Sequence, residues 1–182
     1  MVPLRSLSAG LGVVIGLGMA CAARADEPTP PTPAPITSCE ILHMSRCELE
    51  ALFRGGTAAR LPCGEFRGTP IVQPGSSVAP RASRASRIFW QGKIINQECG
   101  RGVNKFFGVR VVRAHVTEGE SWIDSNPSVI LDYSKTSMLF RNSRDEIRQV
   151  GPNTYLGVLL ERSRCGPRVE RYFVLEAVTC PE

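Results

Sequence analysis

The side chains that could do chemistry are few and scattered. Tyr133-Ser134-Lys135 puts a phenol, a hydroxyl and an amine in a row. Neighbours on a strand point to opposite faces, so the three cannot converge on one reacting atom. Position 137 is Ser, so the Tyr-x-x-x-Lys arrangement of short-chain dehydrogenases is absent. The two histidines, His43 and His115, stand on separate segments with no partner motif. No G-x-S-x-G, H-E-x-x-H or Gly-rich phosphate loop occurs. The chain therefore reads as a binding or structural protein rather than an enzyme, with no cofactor.

The most charged extended segment is Asp145-Glu146-Ile147-Arg148. By alternation Asp145 and Ile147 share one face, and Glu146 and Arg148 the other. A buried Asp132 or Asp145 paired with Arg141, Arg144 or Arg148 would orient a ligand or, as the favoured reading, act as a structural salt bridge.

Seven cysteines in 182 residues raise the question of compartment. Residues 1–25 have the pattern of a removed secretory signal: Arg5, an apolar stretch from Leu7 to Ala20, and Ala23-Arg24-Ala25 before Asp26. That apolar stretch is too short to span a membrane, so no transmembrane anchor is expected. The chain is expected to be exported, to a periplasm or beyond. The rival is a lipoprotein anchored at Cys21, for which Ala20 fits and Gly18 does not. Cleavage after Ala25 leaves Cys39, Cys47, Cys63, Cys99, Cys165 and Cys180 as disulfide candidates in an oxidising compartment. No pair has C-x-x-C spacing, so neither a zinc site nor a redox motif is expected.

Hydrophobic residues make up 42% and charged residues 21%, a globular composition. Loss of Arg5 and Arg24 with the signal lowers the net charge of +5 by two. Between residues 81 and 113, Arg81, Arg84, Arg87, Lys93, Arg101, Lys105, Arg110 and Arg113 face a single acid, Glu98. Such a stretch can attract phosphate or anionic lipid. In an exported chain nucleic acid is not an expected partner, and the plainer reading is a solvated surface.

Residues 26–36 form a Pro/Thr-rich linker. Residues 37–182 make one domain: an N-terminal helix over 38–54, a loop-rich part over 57–87, and a β-barrel over 88–177. In the helix Ser38 caps, Ile41, Leu42, Leu49, Leu52 and Phe53 form the apolar face, and Gly55-Gly56 stops it. Extended runs follow at Ile88–Ile95, Val103–Val116, Ser128–Tyr133, Asp145–Val150, Thr154–Leu160 and Val169–Ala177. Short strands with regular turn signals argue for an antiparallel sandwich or barrel, and a barrel leaves no open edge. Alternating strand direction would place Cys99 and Cys165 at one end and Cys180 at the other. The resulting expectation is Cys99–Cys165, with Cys63 and Cys180 each taking one of Cys39 and Cys47.

A series of short motifs runs in order along the chain. Trp90-x-Gly92-Lys93 is preceded by Pro62-x-Gly64-x-x-x-Gly68. It is followed by Ile130-Leu131-Asp132-Tyr133-Ser134, Asp145-Glu146-Ile147-Arg148, Tyr155-Leu156-Gly157 and Tyr172-Phe173-Val174-Leu175-Glu176. Over residues 49–176 the series resembles a group of bacterial lipocalin-like (calycin-type) proteins, distantly similar to the G-x-W-x-x-x-x-F family. The resemblance implies an antiparallel lipocalin-like barrel and carries over no activity and no catalytic residue. The fold expected is mainly β, with one N-terminal helix and disulfide staples. A barrel of this kind can hold one small ligand. An apolar or amphipathic ligand would sit against Trp90, Phe106, Val111, Leu131, Tyr155, Leu159 and Phe173. Trp90 would close the bottom, with Arg148 or Arg171 stacked on it. The alternative is an envelope interaction protein whose barrel is filled and whose surface does the work.

Overall fold

The computed structural model describes residues 35–178. Residues 1–34, with the expected signal and most of the expected linker, lie outside the described residues, as does Cys180. The chain forms a closed antiparallel barrel in which each strand pairs with the next and the last pairs with the first. The strands are β1 (Gly64–Pro70), β2 (Trp90–Asn96), β3 (Arg101–Phe106), β4 (Val109–Glu120), β5 (Pro127–Asp132), β6 (Ser143–Gly151), β7 (Thr154–Ser163) and β8 (Gly166–Ala177). Among the described residues three helices accompany them: α1 (Ser38–Ile41), α2 (Arg46–Gly55) and α3 (Ala79–Ser86).

The expected single N-terminal helix is two. Thr37, not Ser38, caps α1 in a capping box with Glu40, and Ser45 opens α2 in a second box with Glu48. Each box satisfies orphan N–H groups and is worth about 1 kcal/mol, so a second start at Ser45 outweighs continuation. The two helices lie on the outside of the barrel. Ile41, Leu49 and Phe53 join the outward-facing Leu156, Val158, Tyr172 and Val174 in one apolar layer.

Two strands were not expected. β1 lies in the part read as loop, because Gly64, Gly68 and Pro70 dilute its one large apolar residue, Phe66. It is held by both neighbours, with Glu65 opposite Ile94 and Gly68 opposite Leu175, and it closes the barrel. The run Val103–Val116 divides at Phe107-Gly108, where both residues have positive φ and the chain makes a two-residue hairpin. The Arg-Ala-Ser stretch, read as connector, is α3, with Pro80 in its first turn and Ser83 buried.

The cysteine reading is corrected by this topology. Cys99 lies in the β2–β3 turn and Cys165 in the β7–β8 turn, and the antiparallel register puts these turns at opposite ends of the barrel. The proposed Cys99–Cys165 bridge is therefore excluded by distance. Cys39, Cys47, Cys63, Cys99 and Cys165 are all exposed, and no disulfide joins them.

Inside the barrel the residues sort by height. Phe66, Ile95, Val116, Leu131, Ile147, Tyr155 and Leu175 fill the end where β1 begins. The other end, where β2 begins, is open.

Candidate functional site

The open end leads into a cavity of about 420 Å³. Its walls include Trp90, Phe106, Leu159 and Phe173, and its floor is polar: Lys93, Asn104, Tyr133 and Asp145. Each of these is placed by a specific local feature of the chain.

Trp90 and Lys93 are three apart, so strict alternation would put them on opposite faces. A bulge between Trp90 and Gly92 in the β2–β3 register brings both inside. Gly92 is required there: its φ is +126°, and an added Cβ would lie 2.0 Å from the Phe66 carbonyl oxygen. Two further glycines make room for aromatic rings. A Cβ on Gly68 would meet the Trp90 ring at 2.4 Å, and one on Gly157 would meet the Phe173 ring at 2.1 Å. The indole and the Phe173 ring meet edge to face at 5.3 Å. The glycines of the sequence motifs thus lay these two rings across neighbouring strands.

On the floor the Lys93 ammonium uses all three donors. It reaches Asn104 Oδ1 at 2.6 Å, Tyr133 OH at 2.9 Å and Asp145 Oδ2 at 2.7 Å. The Tyr133 hydroxyl donates to the same carboxylate oxygen, and Asn104 Nδ2 donates to Tyr133 OH at 2.9 Å. Trp90 Nε1 donates to Asn104 Oδ1 at 3.0 Å, tying the wall to the floor. The Lys93 nitrogen also stands 5.2 Å from the centre of Phe173 and 5.3 Å from that of Trp90.

Lys93 and Asp145 are 2% and 4% exposed at the side chain, so this is a buried ion pair. Burial lowers the Lys93 pKa, and the Asp145 carboxylate beside it opposes that shift. Burial also pushes the Tyr133 phenol well above its usual value, reinforced by the Asp145 charge. The phenol therefore stays protonated and can donate. The cluster offers polar partners at the bottom of an apolar pocket, with no nucleophile–base pair facing the open volume.

Of the seven expected lining residues, Trp90, Phe106, Leu159 and Phe173 line the cavity. Leu131 and Tyr155 point inward but lie in the filled half below it. Val111 is exposed. Trp90 stands at the open end rather than a closed bottom, and its cation is Lys93. Arg148 instead lies over Phe53, 4.5 Å from the ring centre, outside the barrel. Arg171 lines the cavity mouth. The indole flanked by arginines is Trp122, with Arg144 at 4.3 Å and Arg162 at 4.7 Å.

The expected acid–arginine pairs are redistributed. Asp145 pairs with Lys93, Asp132 with Arg162, Arg144 with Glu146 and Arg148 with Asp124. Asp145 and Ile147 do face inward together. Tyr133 is buried, whereas Ser134 and Lys135 are exposed, as non-convergence requires. Lys93 and Asn104 were not singled out as site residues, because the bulge that turns Lys93 inward has no sequence signal beyond the glycine itself.

The sequence matches no protein-family model and no curated protein. A crystal structure of a protein from Thermomonospora curvata is similar at a TM-score of 0.49 and 17% identity, over 75% of this chain and 90% of that chain.

Proposed function

We propose that the chain is an exported lipocalin-like barrel that binds or carries one small amphipathic ligand. The observation that carries this reading is the cavity itself. About 420 Å³ falls in the range of small-molecule pockets, and the cavity has aromatic walls and a buried polar floor. The ligand's apolar body would lie between Trp90, Phe106, Leu159 and Phe173. Its polar end, a hydroxyl or carbonyl, would take over one of the hydrogen bonds that Lys93, Tyr133 and Asp145 make to one another. Burying an ion pair gives little net stability, since desolvation offsets the Coulomb gain. Keeping one beside open volume is better explained by ligand orientation than by folding. The closed eight-strand barrel and the packing roles of Gly68, Gly92 and Gly157 support the lipocalin-like resemblance. The signal pattern of residues 1–25 supports export.

The test is native mass spectrometry of the protein purified from its own host, before and after denaturation. A small molecule released on unfolding is the expected result and names the ligand class. A clean apo mass that persists after incubation with fatty acids, sterols and isoprenoids would favour the filled, surface-acting alternative. The same intact mass counts disulfides and settles the N-terminus.

A further inference from the structure

The two ends of the barrel differ in charge and in polarity. At the open end the connections are residues 71–89, 107–108, 133–142 and 164–165. They carry Arg81, Arg84, Arg87, Lys135, Arg141 and Arg164 and not one acid. At the closed end the connections 97–100, 121–126 and 152–153 carry Glu98 and Asp124, each paired with an arginine: Glu98 with Arg60 of the segment entering β1, and Asp124 with Arg148.

The exposed large apolar side chains follow the same division. Val78, Ile88, Phe89, Phe107, Val109, Val111, Met138 and Leu139 all lie in or beside the open-end connections, and Val178 is the exception among the described residues. Met138 and Leu139 are 95% and 85% exposed, and Phe107 is 68% exposed at the tip of its hairpin. Phe89 and Phe107 meet edge to face at 5.6 Å, so they form one raised apolar point. A soluble surface seldom gathers such residues on one rim.

From this juxtaposition we infer that the open end docks on an anionic lipid surface. Phe89, Phe107, Met138 and Leu139 would enter the interface, and the basic connections would lie at the phosphates. Charge decides between occupants. An apolar rim alone would suit a protein partner, but connections that carry six cations and no acid, beside a cavity mouth whose Glu161 and Glu170 are both paired with Arg168, are complementary to lipid head groups. Docking in this orientation sets the cavity mouth against the bilayer, where an amphipathic ligand could pass without crossing water. The inference rests on the rim and holds whether or not the cavity is occupied.

The test is flotation with vesicles of phosphatidylcholine alone and with about one third phosphatidylglycerol. It uses the chain from Asp26, which contains every described residue. Binding is expected only to the anionic vesicles, and it should fall as salt is raised. Two variants address the two components. In one, Phe107→Asn keeps a residue that tolerates positive φ and is combined with Leu139→Ser. In the other, Lys135→Glu is combined with Arg164→Glu. Each should lower vesicle affinity at least about tenfold with unchanged thermal unfolding. Lys93→Met with Asp145→Leu, which alters only the cavity floor, should bind vesicles as the parent does. No binding to anionic vesicles, or equal binding by the rim variants, overturns the inference. So does capture of a protein partner through this rim without any vesicle binding. An empty cavity by mass spectrometry would defeat the carrier reading and leave this one standing.

Discussion

Two buried cations, Arg148 and Lys93, sit on opposite sides of the barrel wall. Arg148 lies outside, beneath the C-terminal turn of α2 and the 121–126 connection. It donates to both Asp124 carboxylate oxygens at 2.6 and 2.8 Å, and to the carbonyls of Phe53, Asn126 and Pro127. Ser128 Oγ completes the set at 2.8 Å. These partners belong to a helix, a loop and a strand, and half are main-chain oxygens. Lys93 lies inside, and its three partners are all side chains at the edge of a cavity. Both cations are dry, yet they differ in what would follow from their loss. Arg148 stitches separate elements together, so its network is structural. Lys93 ties together side chains that line the bottom of an open cavity, which is where the proposed ligand would meet them.

The sharpest way to break this comparison is to delete each cation. Arg148→Met leaves the buried Asp124 carboxylate without its countercharge, held only by the Asn126 N–H, and takes one donor from each of three carbonyls. Unfolding free energy in urea should drop by about 3–5 kcal/mol, while ligand affinity of the folded fraction stays within about twofold. Lys93→Met strands Asp145 in an apolar wall and should cost about 3 kcal/mol. Adding Asp145→Leu removes the stranded charge. The double variant should return to within about 1 kcal/mol of the parent, yet bind a polar-headed ligand at least about tenfold more weakly. If the double variant stays as unstable as the single one, the inner pair is structural too and the distinction fails.

The difference between the two sides also explains what the sequence disclosed. The barrel was legible because short extended runs with regular turn signals recur from β2 to β8, and Asp145 and Ile147 were placed on one face by parity alone. β1 was not legible, since Gly64, Gly68 and Pro70 are there for closure and ring contact, not for burying side chains of their own. In the cavity wall, Trp90, Phe106, Leu159 and Phe173 were readable as large apolar residues on extended runs. The polar floor was not, because it needs the Gly92 bulge and contacts across strands far apart in sequence, such as Lys93 to Asp145. Arg148 was marked as a partner for a buried Asp132 or Asp145, but its partner is Asp124, in a connection whose fold-back has no local signature. Cysteine pairing failed for a related reason: the strand count fixes which end each turn occupies.

A smaller effect should come from the cavity wall. Gly157→Ala puts a methyl group where the Phe173 ring lies, at 2.1 Å. The ring must turn toward the open volume, so stability should fall by about 2 kcal/mol and ligand affinity with it. The Arg148 side should be untouched. Retained binding with the same loss of stability would show that Phe173 packs the core without shaping the pocket.

The smallest effects are those of pH, and they separate the two pairs by sign. The Arg148 guanidinium beside Asp124 holds its carboxyl below the ordinary value of 3.8. Its contribution is complete above that value and is lost as pH falls through the folded one, because the unfolded chain takes up the proton first. Acid should therefore unlock the outer pair, and Asp124→Asn should make the fall in stability below about pH 4 shallower. For Lys93 the folded value lies below 10.5, so on the alkaline side the unfolded chain holds the proton that the folded one has released. Stability from this group should therefore rise with pH, up to about pH 9 to 10. Above that, Tyr133 opposes it, since its raised value keeps a proton in the folded chain that the unfolded one loses. Urea unfolding of the parent and of the Lys93→Met, Asp145→Leu variant should thus show the parent gaining on the variant as pH rises toward the ordinary lysine value. A loss instead would mean that the charged pair stabilises the barrel, and that its place beside the cavity is no guide to its role.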